Sequence, residues 1–230
     1  MSLFAIADTH LSFGTDKPMD MFTGWNDYVS RLEENWNKVV NEDDYVVIAG
    51  DISWAMNFNE LAPDFDFINK LNGKKIIFKG NHDYWWNTKS KIEKFINENS
   101  FDTIKVLQNA AFPVGKFTVC GSRGWMFDGE EENDKKILNR EVLRLKMSID
   151  DARQYDGKPI LFLHYPPLTL NSKCDEIFQL LKDEQIERCY YGHLHGHATR
   201  TAVNQTVDGI KFSLISADYL HFCPILIEKF

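Results

Sequence analysis

Five apolar runs in this chain end abruptly in short polar motifs, and that repeated punctuation limits what it can fold into. The motifs are Asp8-Thr9-His10, Gly50-Asp51, Gly80-Asn81-His82-Asp83, a lone His164, and Gly192-His193-Leu194-His195. The runs before them, such as Tyr45-Val46-Val47-Ile48-Ala49 and Ile160-Leu161-Phe162-Leu163, are short and fully apolar. They read as strands buried on both faces. Between them lie helical patterns. Apolar residues at Tyr28, Val29, Leu32, Trp36, Val39 and Val40 follow the three-and-four spacing of an amphipathic helix. A second helix is expected to about Leu71, interrupted near Pro63, and others over residues 88–98, 134–154 and 173–183.

Alternation of strand and helix predicts an α/β fold. Hairpin-like stretches at 104–120 and strand-like runs at 210–215 and 224–229 predict antiparallel additions, hence two stacked mixed sheets flanked by helices. The chain has 230 residues and no repeat or linker-like tract, so residues 1–230 are expected to form a single domain.

In open α/β sheets, functional side chains gather beyond the carboxyl ends of strands. Asp8, Asp51, Asn81, His164 and His193 occupy such ends and converge if the sheets align them. Their donor atoms are oxygen and imidazole nitrogen without thiolate, a set that suits two divalent metal ions and does not choose among Mn, Fe and Zn. Asp51, alone after its strand, is the candidate carboxylate to bridge two ions. Such a pair, about 3.5–4 Å apart, activates a shared water and stabilises phosphoryl oxygens during in-line attack. His82, beside Asn81, is placed to protonate the leaving oxygen.

The ordered set D-x-H, G-D, G-N-H-D, H and G-H-x-H resembles the calcineurin-like metallophosphoesterase superfamily over residues 8–195. The resemblance implies two packed β-sheets with helices outside. It implies Asp8, His10, Asp51 and His195 as ligands of one ion, and Asp51, Asn81, His164 and His193 as ligands of the other. It also implies His82 as leaving-group acid and a metal-bridging hydroxide as nucleophile. The protein Ser/Thr phosphatase branch carries G-D-x-x-D-R-G, whereas this chain reads Gly50-Asp51-Ile52-Ser53-Trp54-Ala55-Met56, which disfavours that branch and leaves His82 without its usual orienting Asp. Lipid-precursor pyrophosphatases usually carry Arg where His82 stands. His164-Tyr165-Pro166-Pro167 is similar to the H-H-P-P of cyclic-nucleotide phosphodiesterases, with Tyr165 in place of the second histidine.

Hydrolysis of a small-molecule phosphomonoester or phosphodiester is the leading expectation. A cyclic-nucleotide phosphodiesterase is the alternative within enzymes, and a non-catalytic scaffold on the same fold is the alternative outside them. A net charge of −8 without a basic stripe disfavours nucleic acid as partner. Arg123, after the strand ending at Cys120, is a candidate to hold substrate phosphate, with a surface ion pair as the competing reading. Trp54, Tyr84, Trp85 and Trp86 read first as core packing and second as an aromatic wall. His197 is either at the site's mouth or an exposed loop residue, and Asp83 is expected to brace its loop. The segment 121–134 is a candidate lid at the site's rim, with a solvated loop as the competing reading of its acidic run at 128–134. Cys120, Cys174, Cys189 and Cys223 form no C-x-x-C pair and fit reduced thiols of a cytoplasmic protein. No apolar run approaches the roughly 20 residues of a membrane span.

Overall fold

The computed structural model describes residues 1–125 and 132–230, with the side chains of 132 and 133 excepted. Most of the 128–134 acidic run lies outside the described residues. Five strands make the first sheet, in the order β11 (Ile225–Lys229), β1 (Ser2–Ile6), β2 (Tyr45–Ala49), β3 (Lys74–Phe78), β4 (Ile104–Val106). The second sheet orders β5 (Phe112–Val114), β6 (Phe117–Ser122), β7 (Lys158–Leu163), β8 (Arg188–Tyr191), β10 (Ile210–Leu214), β9 (Thr206–Val207). Strands β1 to β4, and β6, β7, β8 and β10, pair in parallel. Antiparallel strands β11, β5 and β9 close edges. These are the two stacked mixed sheets that the strand pattern predicts.

Strand period explains the layers. In β1, Leu3 and Ala5, with Ala7 beyond its end, point into the space between the sheets, where they meet Ile160, Phe162 and Tyr190. Phe4 and Ile6 point outward, against α1 (Tyr28–Val39), α2 (Phe58–Lys70) and α3 (Lys89–Glu98). On the far side, Cys120, Leu161 and Cys189 pack under α4 (Glu132–Ala152) and α5 (Asp175–Asp183). The central strands are largely apolar toward their carboxyl ends because both their faces are covered. All four cysteines are free thiols. No described helix is long and apolar enough to cross a membrane.

One expectation fails locally. Helix α2 runs through Pro63 without a break. Pro63 lies near the helix start on its exposed face, and the Asn59 carbonyl it leaves unpaired is on an exposed residue where water reaches it. The start is strongly held. The Asn57 side chain accepts from the backbone N–H of Asn59 and Glu60, while the Glu60 carboxylate accepts from Met56 N at 2.8 Å.

Helix α2 also anchors the loop after β2. Buried Asp64 accepts from Phe13 N at 2.8 Å and from the Ser53 hydroxyl. Burial raises its carboxyl to about 6 despite both bonds. A folded pKa above the unfolded value of about 3.9 favours folding fully below that value, and the contribution fades as pH rises through 6. Asp64→Asn is therefore expected to gain in stability relative to the parent protein between about pH 4 and pH 6.5, by roughly 2–3 kcal/mol. Paired thermal melts across that range check this, and a difference in melting temperature that stays flat would refute it.

Candidate metal centre

Parallel pairing puts the carboxyl ends of β1, β2, β3, β7 and β8 at one edge of the sandwich, and each ends in one of the five motifs. The two sheets are joined there. Ala7 N donates to Ile215 O at 2.8 Å, and His193 N donates to both oxygens of Asp8 at 2.9 and 3.1 Å. The loops then turn sharply. Asp8, His10, Asp51 and His193 all adopt positive φ, at 61°, 44°, 49° and 72°. This backbone region is uncommon for residues with a Cβ and clusters at functional sites.

Two groups of donor atoms result. Asp8, His10 and His195 form one, and Asp51, His164 and His193 the other. Asn81 joins the second, its Oδ1 lying 2.6 Å from His164 Nε2 and 3.0 Å from His193 Nδ1. Asp51 Oδ2 lies 3.4 Å from His164 Nε2 and 3.8 Å from His10 Nε2, so it faces both groups. All seven residues expected as metal ligands are thus brought together.

The donor atoms crowd one another at short range. His10 Nε2 and His195 Nε2 face each other at 3.3 Å, and buried His10 Nδ1 has no hydrogen-bond partner. Burial, reinforced by Asp83 and Asp8, raises Asp51 to about 9. Burial would raise Asp8 as well, but the imidazoles of His195, His164 and His10 hold it well below the usual carboxylate range. Burial pushes His164 down to about 3 against the pull of Asp8, which leaves a neutral imidazole, the ligating form. Burial also opposes charge on His195, yet Asp8 and Asp218 bring it up to about 10. A buried carboxylate, Asp51, that must take up a proton, beside imidazoles that converge on the same space, fits bound divalent cations.

Around this centre stand supports that the motifs do not contain. Asp218 Oδ1 lies 2.9 Å from His195 Nδ1 and its other oxygen accepts from Gly196 N, which fixes the ring. Asp218 has no motif around it and is found only through the fold. Asp83 braces its loop as expected, accepting from Gly80 N, Ile52 N and Trp85 Nε1. Tyr84 Oη lies 3.2 Å from His82 Nδ1, in the orienting position the sequence leaves blank. Trp85 packs in the core, whereas Trp54 is both packing and wall. Its ring stacks on His10 at 5.0 Å and lies 4.3 Å from His82.

A cavity of about 680 Å³ opens over these residues. His10, Asp51, His82, His193 and His195 line its floor, Trp25, Trp54, Met19 and Phe22 its apolar wall, and His197 and Arg200 its rim. His197 is therefore at the mouth. Arg123 lines a different cavity. Its backbone carbonyl accepts from His164 N at 3.1 Å and from Tyr165 N at 2.8 Å, which ties the end of β6 to the His164 loop.

Glycine is needed where these loops touch. A Cβ on Gly80 would overlap Asp51 N and Oδ1. Gly80→Ala is expected to displace the Asp51 carboxylate and lower bound metal to at most one ion per chain with the fold retained. Metal analysis beside a circular dichroism melt tests this, and two ions per chain would show that the loop accommodates the methyl.

The calcineurin-like phosphoesterase family model matches residues 1–197. Comparison with proteins of curated function gives no match. Among solved structures, a protein of unknown function from Aquifex aeolicus is similar at 17% identity, with 98% of this chain and 95% of that one covered and a TM-score of 0.51. A phosphopantetheinyl hydrolase from Mycobacterium tuberculosis is similar at 16% identity, with 94% and 88% covered and a TM-score of 0.53. At these identities the two structures bear on the fold alone.

Proposed function

Because the chain belongs to the calcineurin-like phosphoesterase family, we propose that its metal-dependent phosphoester hydrolysis runs at a two-ion centre on a small-molecule phosphomonoester or phosphodiester. The position of Asp51 carries this reading. Its Oδ2 faces a donor atom of each group, 3.4 Å from His164 Nε2 and 3.8 Å from His10 Nε2, as a carboxylate serving both ions requires. Asp8, His10 and His195 would hold one ion with it, and Asn81, His164 and His193 the other. Mn, Fe and Zn all suit this donor set. When bound, two divalent ions supply a water of lowered pKa and positive charge for the phosphoryl oxygens.

The chain's own residues do the rest. Asp51 Oδ1 accepts from His82 N at 2.7 Å, so the carboxylate and the proposed acid are fixed relative to each other. His82 lies at the cavity floor with Nδ1 against the Tyr84 hydroxyl, which leaves Nε2 for the leaving oxygen. Trp25, Trp54, Met19 and Phe22 offer an apolar wall to the organic part of the ester, and Arg200 offers a charge at the rim. A cavity of about 680 Å³ exceeds what phosphate alone fills, which supports a substrate with a bulky organic group.

Turnover of p-nitrophenyl phosphate and bis-p-nitrophenyl phosphate by protein reconstituted with Mn, Fe or Zn tests the reading. Metal-dependent release from either ester is expected. Absence of release from both, with two ions confirmed per chain, would instead support a non-catalytic scaffold. A panel of nucleotides, cyclic nucleotides, sugar phosphates and a phosphopantetheinyl ester then separates monoesterase from diesterase and tests the cyclic-nucleotide alternative.

A further inference from the structure

A second cavity, of about 110 Å³, lies where the ends of β3 and β4 face the end of β6 and α4. Its polar lining includes Lys79, Arg123, Arg144, Glu141 and Gln108, three cations against one carboxylate in a chain whose net charge is −8. The carboxylate is already engaged. Buried Glu141 accepts from Gly124 N at 3.1 Å through one oxygen and pairs with Arg144 at 3.2 Å through the other. Among the described residues, no carboxylate comes within ion-pair distance of Lys79 or Arg123. The Arg123 Nε–H is buried without an acceptor, and buried Gln108 Oε1 is without a donor.

An unpaired buried guanidinium N–H is costly, and an acceptor placed in the cavity removes that cost. Reversing the Gln108 amide, whose two ends are nearly equal in shape, turns two further N–H donors inward. The volume equals that of about four waters at roughly 30 Å³ each, which is room for a phosphate group. We propose that this cavity is a second anion site, distinct from the metal centre, that takes a phosphate-class dianion on Arg123, Lys79 and Arg144. The planar fork of Arg123 suits two phosphate oxygens at once.

The site adjoins the metal ligands through the backbone. Lys79 immediately precedes Gly80 and Asn81, and the Arg123 carbonyl accepts from His164 N and Tyr165 N. Occupancy therefore bears on the loops that carry Asn81 and His164. The dianion has two sources by this chemistry, free phosphate or a second phosphate group on the substrate.

Equilibrium dialysis with labelled inorganic phosphate tests the site on metal-loaded and on chelator-stripped protein. The assignment does not rest on catalysis, because stripping removes the metal centre's own affinity for phosphate. Stripped parent protein is expected to bind one phosphate, and metal-loaded protein one more. Arg123→Gln and, at the more exposed edge, Arg144→Gln are each expected to weaken binding to the stripped protein by about tenfold or more, with circular dichroism confirming the fold. No binding to the stripped protein, or equal binding by parent and both variants, would overturn the proposal. Kinetics separate the sources. If free phosphate is the ligand, it inhibits turnover with a noncompetitive component that Arg123→Gln removes. If a substrate group is the ligand, Arg123→Gln lowers kcat/KM for a bisphosphate more than for the matching monophosphate.

Discussion

Asp51→Asn is expected to lower metal-dependent turnover by about 10³-fold or more, and to leave fewer than two ions per chain. The estimate follows from the several kcal/mol of charge stabilisation that a metal pair supplies, at roughly tenfold in rate per 1.4 kcal/mol. Asn keeps the shape and one oxygen, so it still accepts from His82 N at the Oδ1 position. What it loses is the negative charge between the two donor groups, and its NH₂ can turn a donor toward His10 Nε2 and His164 Nε2. The same substitution has the opposite effect on the ion-free fold. Burial, Asp83 and Asp8 raise Asp51 to about 9 there, so folding at neutral pH requires this carboxylate to take up a proton, a cost that Asn does not carry. In chelator the variant should melt at or above the parent protein. In metal the parent should gain stability by ligand linkage and the variant gain little. Full turnover with two bound ions in the variant would remove Asp51 from the shared position.

The convergence of the candidate ligands was legible in the sequence because each of the five motifs closely follows a buried strand. An apolar run such as Tyr45–Ala49 leaves little doubt of strand, and parallel pairing of β1, β2 and β3 then fixes where Asp8, Asp51 and Asn81 must meet. What holds those residues in place was not legible. The positive φ of Asp8, His10, Asp51 and His193 is set by tertiary contacts such as the Asp8–His193 bonds, and local sequence does not encode it. Asp218 lies on a loop after β10 with no motif around it, and reaches His195 only because β8 and β10 are parallel neighbours. The residue type of Arg123 suggested either phosphate or a surface ion pair, while its place in a cavity depends on how β6 and α4 face β3 and β4. Pro63 shows the converse. Local chemistry argued for a break, and capping by Asn57 together with burial of Leu61, Asp64, Phe65 and Ile68 carries the helix through.

His82→Ala should separate chemistry from metal binding. The ring belongs to neither donor group, so the variant is expected to hold the same ions as the parent protein. Its turnover should fall by about 10²–10⁴-fold, the usual contribution of a positioned acid or base. The loss should depend on the ester. Nitrophenolate leaves readily without a proton, whereas an alkoxide does not, so alkyl esters should suffer most and p-nitrophenyl esters least. Geometry supports donation from this residue. Its backbone is tied to Asp51, its ring lies 4.3 Å from that of Trp54, and Tyr84 Oη engages Nδ1. Tyr84→Phe removes only the last of these contacts, so it should give a smaller loss with the same dependence on leaving group. Rates for a series of aryl and alkyl phosphates with parent protein and both variants provide the measurement. A loss in His82→Ala that is uniform across the series, at unchanged metal content, would make His82 a binding group for phosphoryl oxygens and leave the leaving group to be protonated by water.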